Sequence, residues 1–136
     1  MQKHINIIIV IFFALIFISC KSSNDLTMER GAYFYNNQDY NEAANQFNRV
    51  ILSYPKNNIN LIKSKDIEIL AHAYQQIALC QSKLGIQANQ KENKKIYFDE
   101  ALKNIQEAER LAIKTTKREE YRKTHLGIKL QLKSLD

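Results

Sequence analysis

The residues with chemistry to offer are few: Cys20 and Cys80, His4, His72 and His125, and the adjacent acidic pairs Asp99-Glu100 and Glu119-Glu120. Adjacent acids on a helix point in different directions, so neither pair makes a good acid/base couple, which needs two groups converging on one substrate. His4 precedes the domain, and His72 and His125 read as lacking a cysteine or carboxylate at metal-ligand spacing, so a zinc site is not expected. There is no Gly-x-Ser-x-Gly, no glycine-rich phosphate loop and no paired histidines. The expectation is a protein that is not an enzyme, with no catalytic residues, no cofactor and no metal. Cys80 lies between Leu79 and Gln81 in a strongly helical stretch, where a buried, inert thiol is the usual outcome. No disulfide framework is implied.

The chemistry of Cys20 is set by what precedes it. Lys3-His4 gives a short basic start, Ile7 to Ser19 is apolar, and Cys20 is followed by the polar Lys21-Ser22-Ser23-Asn24. The apolar run is too short to cross a bilayer comfortably, since a spanning helix needs roughly 20 apolar residues. Basic start, apolar block, small residue and cysteine, in that order, resemble a bacterial lipoprotein signal. Phe17 departs from the usual Leu at the third position before the cysteine. The alternatives are an uncleaved signal anchor or an ordinary signal peptide. The resemblance implies lipidation at Cys20, a signal over 1–19, a lipidated tether over 20–25 and a helical domain over 26–136.

Removing residues 1–19 takes away one Lys and no acid, leaving 19 basic against 14 acidic side chains, a formal +5. One proline and three glycines in 136 residues argue for long helices over a turn-rich β fold. The basic excess gathers near the end, where Lys114, Lys117, Arg118, Arg122, Lys123, Lys129 and Lys133 face only Glu119, Glu120 and Asp136. Such a run is either a footprint for lipid head groups or an acidic partner, or the solvated face of a terminal helix, and the second reading is favoured. Nucleic acid is not expected as a partner of a membrane-tethered chain.

Along the chain, Gly31, Phe34, Tyr40, Ala43, Phe47, Val50, Ile51 and Tyr54 recur at three- and four-residue steps, as an amphipathic helix pair requires. Asn36-Asn37-Gln38-Asp39 is the polar break, with Asp39 an N-cap and Glu42 at capping-box spacing. Pro55 closes the second helix. Residues 58–70 read as an early start to a third helix, with Ser64 and Asp66 as possible caps. Ile86–Ile96 is a polar insert that either lengthens two helices or forms a loop. A fourth helix ends between Leu111 and Thr116. A fifth, about Lys117–Ser134, carries Tyr121, Leu126, Ile128, Leu130 and Leu132 on one apolar side.

The spacing Gly31-x2-Phe34-x5-Tyr40-x2-Ala43-x3-Phe47-x2-Val50-x4-Pro55 resembles a tetratricopeptide repeat. A second unit, Tyr74-x2-Ile77-Ala78 with Gly85 and then Phe98-x2-Ala101-x3-Ile105-x2-Ala108, is split by the insert. The resemblance implies an all-α fold of antiparallel helix hairpins, about two repeats, plus a C-terminal capping helix. Gly31 and Ala43 then mark the close approach of the first pair, and Phe34 and Phe47 fill the space between them. The resemblance also implies a groove for a protein segment, lined by Met28, Ala32, Tyr35 and Asn36 in the first unit and His72, Gln75, Leu79 and Lys83 in the second. Tyr35 and Leu79 read equally well as core packing, and His72 as an exposed helix residue.

Together with the lipoprotein signal, the run Asn48-Arg49-Val50-Ile51-Leu52-Ser53-Tyr54-Pro55 resembles the tetratricopeptide lipoprotein subunit of the outer-membrane β-barrel assembly machinery. That resemblance implies a non-enzymatic scaffold, lipid-anchored to the periplasmic face of the outer membrane, with that machinery as partner. The alternatives are a surface-displayed lipoprotein binding an external ligand, or a tetratricopeptide adaptor for cell-wall processes. Labelled fatty acid supplied to cells should enter the wild-type protein and be absent from Cys20→Ala. An unlabelled wild type removes the lipid anchor from the reading.

Overall fold

The computed structural model describes residues 21–55 and 59–136, so Cys20 and the signal expected over 1–19 lie outside the described residues. The described chain is all-helical: α1 (Ser23–Asn36), α2 (Tyr40–Leu52), a 3-10 turn (Ile59–Leu61), α3 (Ser64–Gln87), α4 (Lys91–Leu111) and α5 (Thr115–Lys133). Each helix packs chiefly on its chain neighbours, and α1 also touches α3 as α3 touches α5. The three odd-numbered helices therefore lie side by side with α3 in the middle, α2 packing on α1 and α3, and α4 on α3 and α5.

Helix α1 begins earlier than expected. Ser22 Oγ accepts from the Asp25 backbone N–H at 3.1 Å, and Asp25 Oδ2 accepts from the Ser22 N–H at 3.2 Å. This reciprocal capping box satisfies two otherwise orphaned donors, so most of the expected tether is the ordered start of α1. The capping box expected at the next helix is only half present. Asp39 does cap α2, its Oδ1 accepting from the Glu42 N–H at 3.1 Å, but the Glu42 carboxylate turns to Asn45 and Gln46. Gln38, with φ of 63°, makes the left-handed step that reverses the chain between α1 and α2.

The hairpins meet at small residues. A Cβ built on Gly31 would stand 2.5 Å from the Phe47 ring, so α1 approaches α2 only because that atom is missing. Ala43 and Phe47 are fully buried beside it, in a cluster with Tyr40, Ile77 and Cys80. Phe34 packs against the same cluster while remaining half-buried. In the longer hairpin a Cβ on Gly85 would meet the Phe98 ring at 3.1 Å and Tyr97 Cβ at 3.2 Å.

The insert resolves into helix. α3 runs to Gln87 and α4 starts at Lys91, so Ile86–Ile96 lengthens both, around a short turn at Ala88–Gln90. Upstream, α3 starts at Ser64 with Lys63 as N-cap, and Lys63 makes no side-chain capping bond, so neither Ser64 nor Asp66 is the cap. Ile59, Ile62 and Ile67 pack instead against a second cluster of Leu70, Ala71, Ala78, Phe98, Ala101, Ile105, Ala108, Leu111, Tyr121 and Ile128. α3 thus starts later than the expected 58–70 stretch, which contains a separate 3-10 turn, and burial of those isoleucines holds this segment in place of a cap.

The fifth helix lacks the single apolar side expected of it. Tyr121 and Ile128 are buried and Leu132 is half-buried, whereas Leu126 and Leu130 are 56% and 68% exposed. At about 100° per residue, Leu126 and Ile128 point in nearly opposite directions, so the helix carries two apolar stripes.

The three glycines give a ranked prediction for thermal unfolding. Gly31→Ala should destabilise by about 1–3 kcal/mol through overpacking against Phe47, and Gly85→Ala by less. Gly127 has no atom within 4 Å of its Cβ position, so Gly127→Ala should stabilise by about 0.5–1 kcal/mol. A Gly31→Ala melting temperature equal to wild type would contradict the close approach of α1 and α2.

Candidate functional site

Where the odd-numbered helices lie side by side, two shallow clefts remain between them. The first, about 270 Å³, gathers the starts of three helices: Asp25 of α1; Lys65, Glu68, Ile69 and His72 of α3; and Lys114, Lys117 and Tyr121 at the entry to α5. Its floor is apolar, with buried Ala71, Ala112 and Tyr121, and half-buried Ile69 and exposed Ile113 complete the apolar lining. The second, about 260 Å³, lies further along α3 and α5 and is lined by Leu79, Ser82, Thr124, Gly127, Ile128 and Gln131.

The rim of the first cleft is charged but largely self-neutralised. Lys114 Nζ lies 3.0 Å from Glu68 Oε1, and Lys117 Nζ lies 2.7 Å from Glu120 Oε2. The Lys117 ammonium, followed by a hydrogen bond from Gln75, holds the Glu120 carboxyl below the usual glutamate range. The Ser22 hydroxyl does the same for Asp25. Desolvation, then the nearby Lys117 charge, lowers the His72 imidazole below its ordinary value, with Glu120 opposing. The Gln76 amide nitrogen stands 3.0 Å from His72 Nε2, a contact that a neutral ring accepts.

The expected groove residues divide into three groups. Asn36, His72 and Lys83 are exposed, as is Ala32, and His72 and Leu79 line the two clefts. Met28 and Tyr35 are half-buried against the cluster around Phe47. The Tyr35 ring meets Tyr40 edge-on at 5.2 Å, and burial raises the Tyr35 phenol above its usual pKa. Both side chains belong mainly to the packing of α1 on its neighbours.

Gln75 is a correction. It is 4% exposed, its Nε2 donates to Glu120 Oε1 at 3.1 Å, and its Oε1 has no partner. It is buried because α5 packs on α3 as well as on α4, covering a position that the repeat spacing alone leaves open.

The same packing supplies the residues that the spacing missed: Lys117, Glu120, Thr124, Gly127 and Gln131 of α5. Their three- and four-residue steps on one helix face were the available signal.

Elsewhere, His125 Nδ1 pairs with Glu109 at 2.9 Å, tying α5 to α4, and its Nε2 is buried without a partner. Burial pushes the Cys80 thiol up to about 12, far from the range of a nucleophilic thiolate. Among the described residues no group of three or more His, Cys, Asp or Glu side chains is placed to hold a metal ion. No described helix is long and apolar enough to cross a membrane.

The electrostatics of the cleft are testable. Because its folded pKa is depressed, the stabilisation linked to Glu120 should be fully present above the ordinary glutamate range. It should be lost as pH falls from that range through the folded value. Side-chain NMR titration should show the Glu120 carboxyl moving back toward the ordinary range in Lys117→Ala, and by less in Gln75→Ala. An unchanged titration in Lys117→Ala would break the assignment of cause.

No protein-family model, curated protein or solved structure matches the chain.

Proposed function

We propose that this protein is a non-enzymatic scaffold of tetratricopeptide type, anchored through a lipid at Cys20 in the cell envelope. Its odd-numbered helices offer a segment of a partner protein a docking face. The observation that carries the reading is the side-by-side placement of α1, α3 and α5, with apolar-floored clefts between α3 and α5 rimmed by polar and charged side chains. Clefts of this kind suit a helix or extended segment that lays apolar side chains on the floor and sets polar groups on the rim.

Three sequence features add to it. The Gly31–Phe47 contact sits at the repeat spacing, Pro55 follows the end of α2, and Ser19-Cys20 ends an apolar block. On the resemblance of the run ending Tyr54-Pro55, the partner is the outer-membrane β-barrel assembly machinery, met on the periplasmic face.

Affinity purification from detergent-solubilised envelopes tests the reading directly. The wild type should recover a defined protein partner. Lys65, His72 and Lys83 are exposed on the odd-numbered helices, so Lys65→Glu/His72→Glu/Lys83→Glu should fold and lower recovery by about tenfold. That loss corresponds to about 1.4 kcal/mol, a modest sum for three interface positions. Full recovery by the folded triple variant would remove these helices as the binding surface.

A further inference from the structure

The outward side of α5 is a second surface, on the far side of that helix from the clefts. Leu126 and Leu130, one helical turn apart, are 56% and 68% exposed. Arg122, Lys123, Lys129 and Lys133 are exposed around them, at helical angles within about 60° of Leu126. None of these four cations takes part in an ion pair among the described residues. Glu119 is the acidic side chain that shares this stripe, one helical repeat before Leu126.

We propose that this face of α5 lies flat on an anionic bilayer surface, with Leu126 and Leu130 entering the head-group region and the four cations meeting lipid phosphates. One observation selects lipid over an acidic protein. The leucines occupy the centre of the stripe and the long basic side chains its flanks, which lets the apolar stems follow the leucines down while the charges stay at phosphate level. Two leucines bind a bilayer weakly, so the charges must carry much of the attraction, and binding should fall with salt. The inference is independent of what the clefts hold and of whether Cys20 carries lipid.

The chain contains no tryptophan, so Leu130→Trp places a single reporter on this face. Asn48→Trp, on an exposed position of α2, is the control. Each full-length variant is reconstituted into phosphatidylcholine vesicles with and without phosphatidylglycerol. The Leu130→Trp emission should shift to shorter wavelength and be quenched by brominated lipid only when phosphatidylglycerol is present. High salt should reverse the change, and Asn48→Trp should not respond. Adding Arg122→Glu, Lys123→Glu, Lys129→Glu and Lys133→Glu should abolish it. Should that variant lose helicity by circular dichroism, Lys123→Gln/Lys129→Gln/Lys133→Gln serves the same comparison. Solvent-like emission in both vesicles overturns the proposal. A shift that tracks protein concentration instead of lipid charge overturns it in favour of a second copy of the chain. A shift with soluble polyglutamate but not with vesicles overturns it in favour of an acidic protein.

Discussion

Everything in this fold depends on how closely other helices can approach α3. It touches all four of them, and its buried side chains are mostly small: Ala71, Ala73, Ala78, Cys80 and Gly85, with Leu70, Ile77 and Gln75 between. A helix with large side chains all round would hold its neighbours too far off for a domain of this size to close a core. Here the bulk comes from the partners, Phe47 from α2 and Phe98 and Ile105 from α4, each fully or almost fully buried. Large residues on the even-numbered helices facing small ones on α3 give the interdigitation that close packing needs. The polar ties of α3 follow the same logic. Gln81 donates to Glu100 at 3.1 Å and accepts from Asn104 at 2.9 Å, fixing the register of α3 on α4.

The apolar interior divides in two. One cluster joins α1 and α2 to the middle of α3, and the other joins α3, α4 and α5. Ile51 packs against both and so couples them. The larger cluster also takes in the chain after α2, through Tyr54, Ile59 and Ile62. The shorter hairpin is thus held by Ile51, by α3 and by this connecting segment, whereas the longer hairpin has α5 as well. Stability is expected to be uneven across the molecule, lowest in the two terminal helices α1 and α5, each packed mainly on one neighbour with a few contacts on α3.

Local features were legible from the sequence and shared ones were not. The all-helical class was legible from the scarcity of proline and glycine, the break before Asp39 from its polar run, and the close approach at Gly31, filled by Phe47, from the resemblance to a tetratricopeptide repeat. The insert was undecided because residues such as Lys91, Glu92 and Lys94 suit a solvated helix as well as a loop. It is helical because Gly85, Tyr97 and Phe98 continue the contact between α3 and α4. Gln75 was misplaced because its burial is decided by α5, whose Glu120 lies 45 residues further along the chain. Leu126 and Leu130 were grouped with Tyr121 and Ile128 by composition, and helical angle separates them. The tether was misjudged because Ser22 and Asp25 look like generic polar residues until each is seen to bond the other's backbone.

The burial of Cys80 bears on how this molecule behaves under oxidation. The thiol is fully enclosed in the smaller cluster, against Phe47 and Tyr40, and burial keeps it protonated. In the native fold it is shielded from peroxide, alkylating agents and another chain's sulfur alike. Any of these reactions must wait until α1 and α2 lift from α3, so its rate counts excursions of that hairpin and not the reactivity of the sulfur. Two chains joined through Cys80 would accordingly be a record of opened molecules having met, and the bond once made would keep the hairpin from settling back.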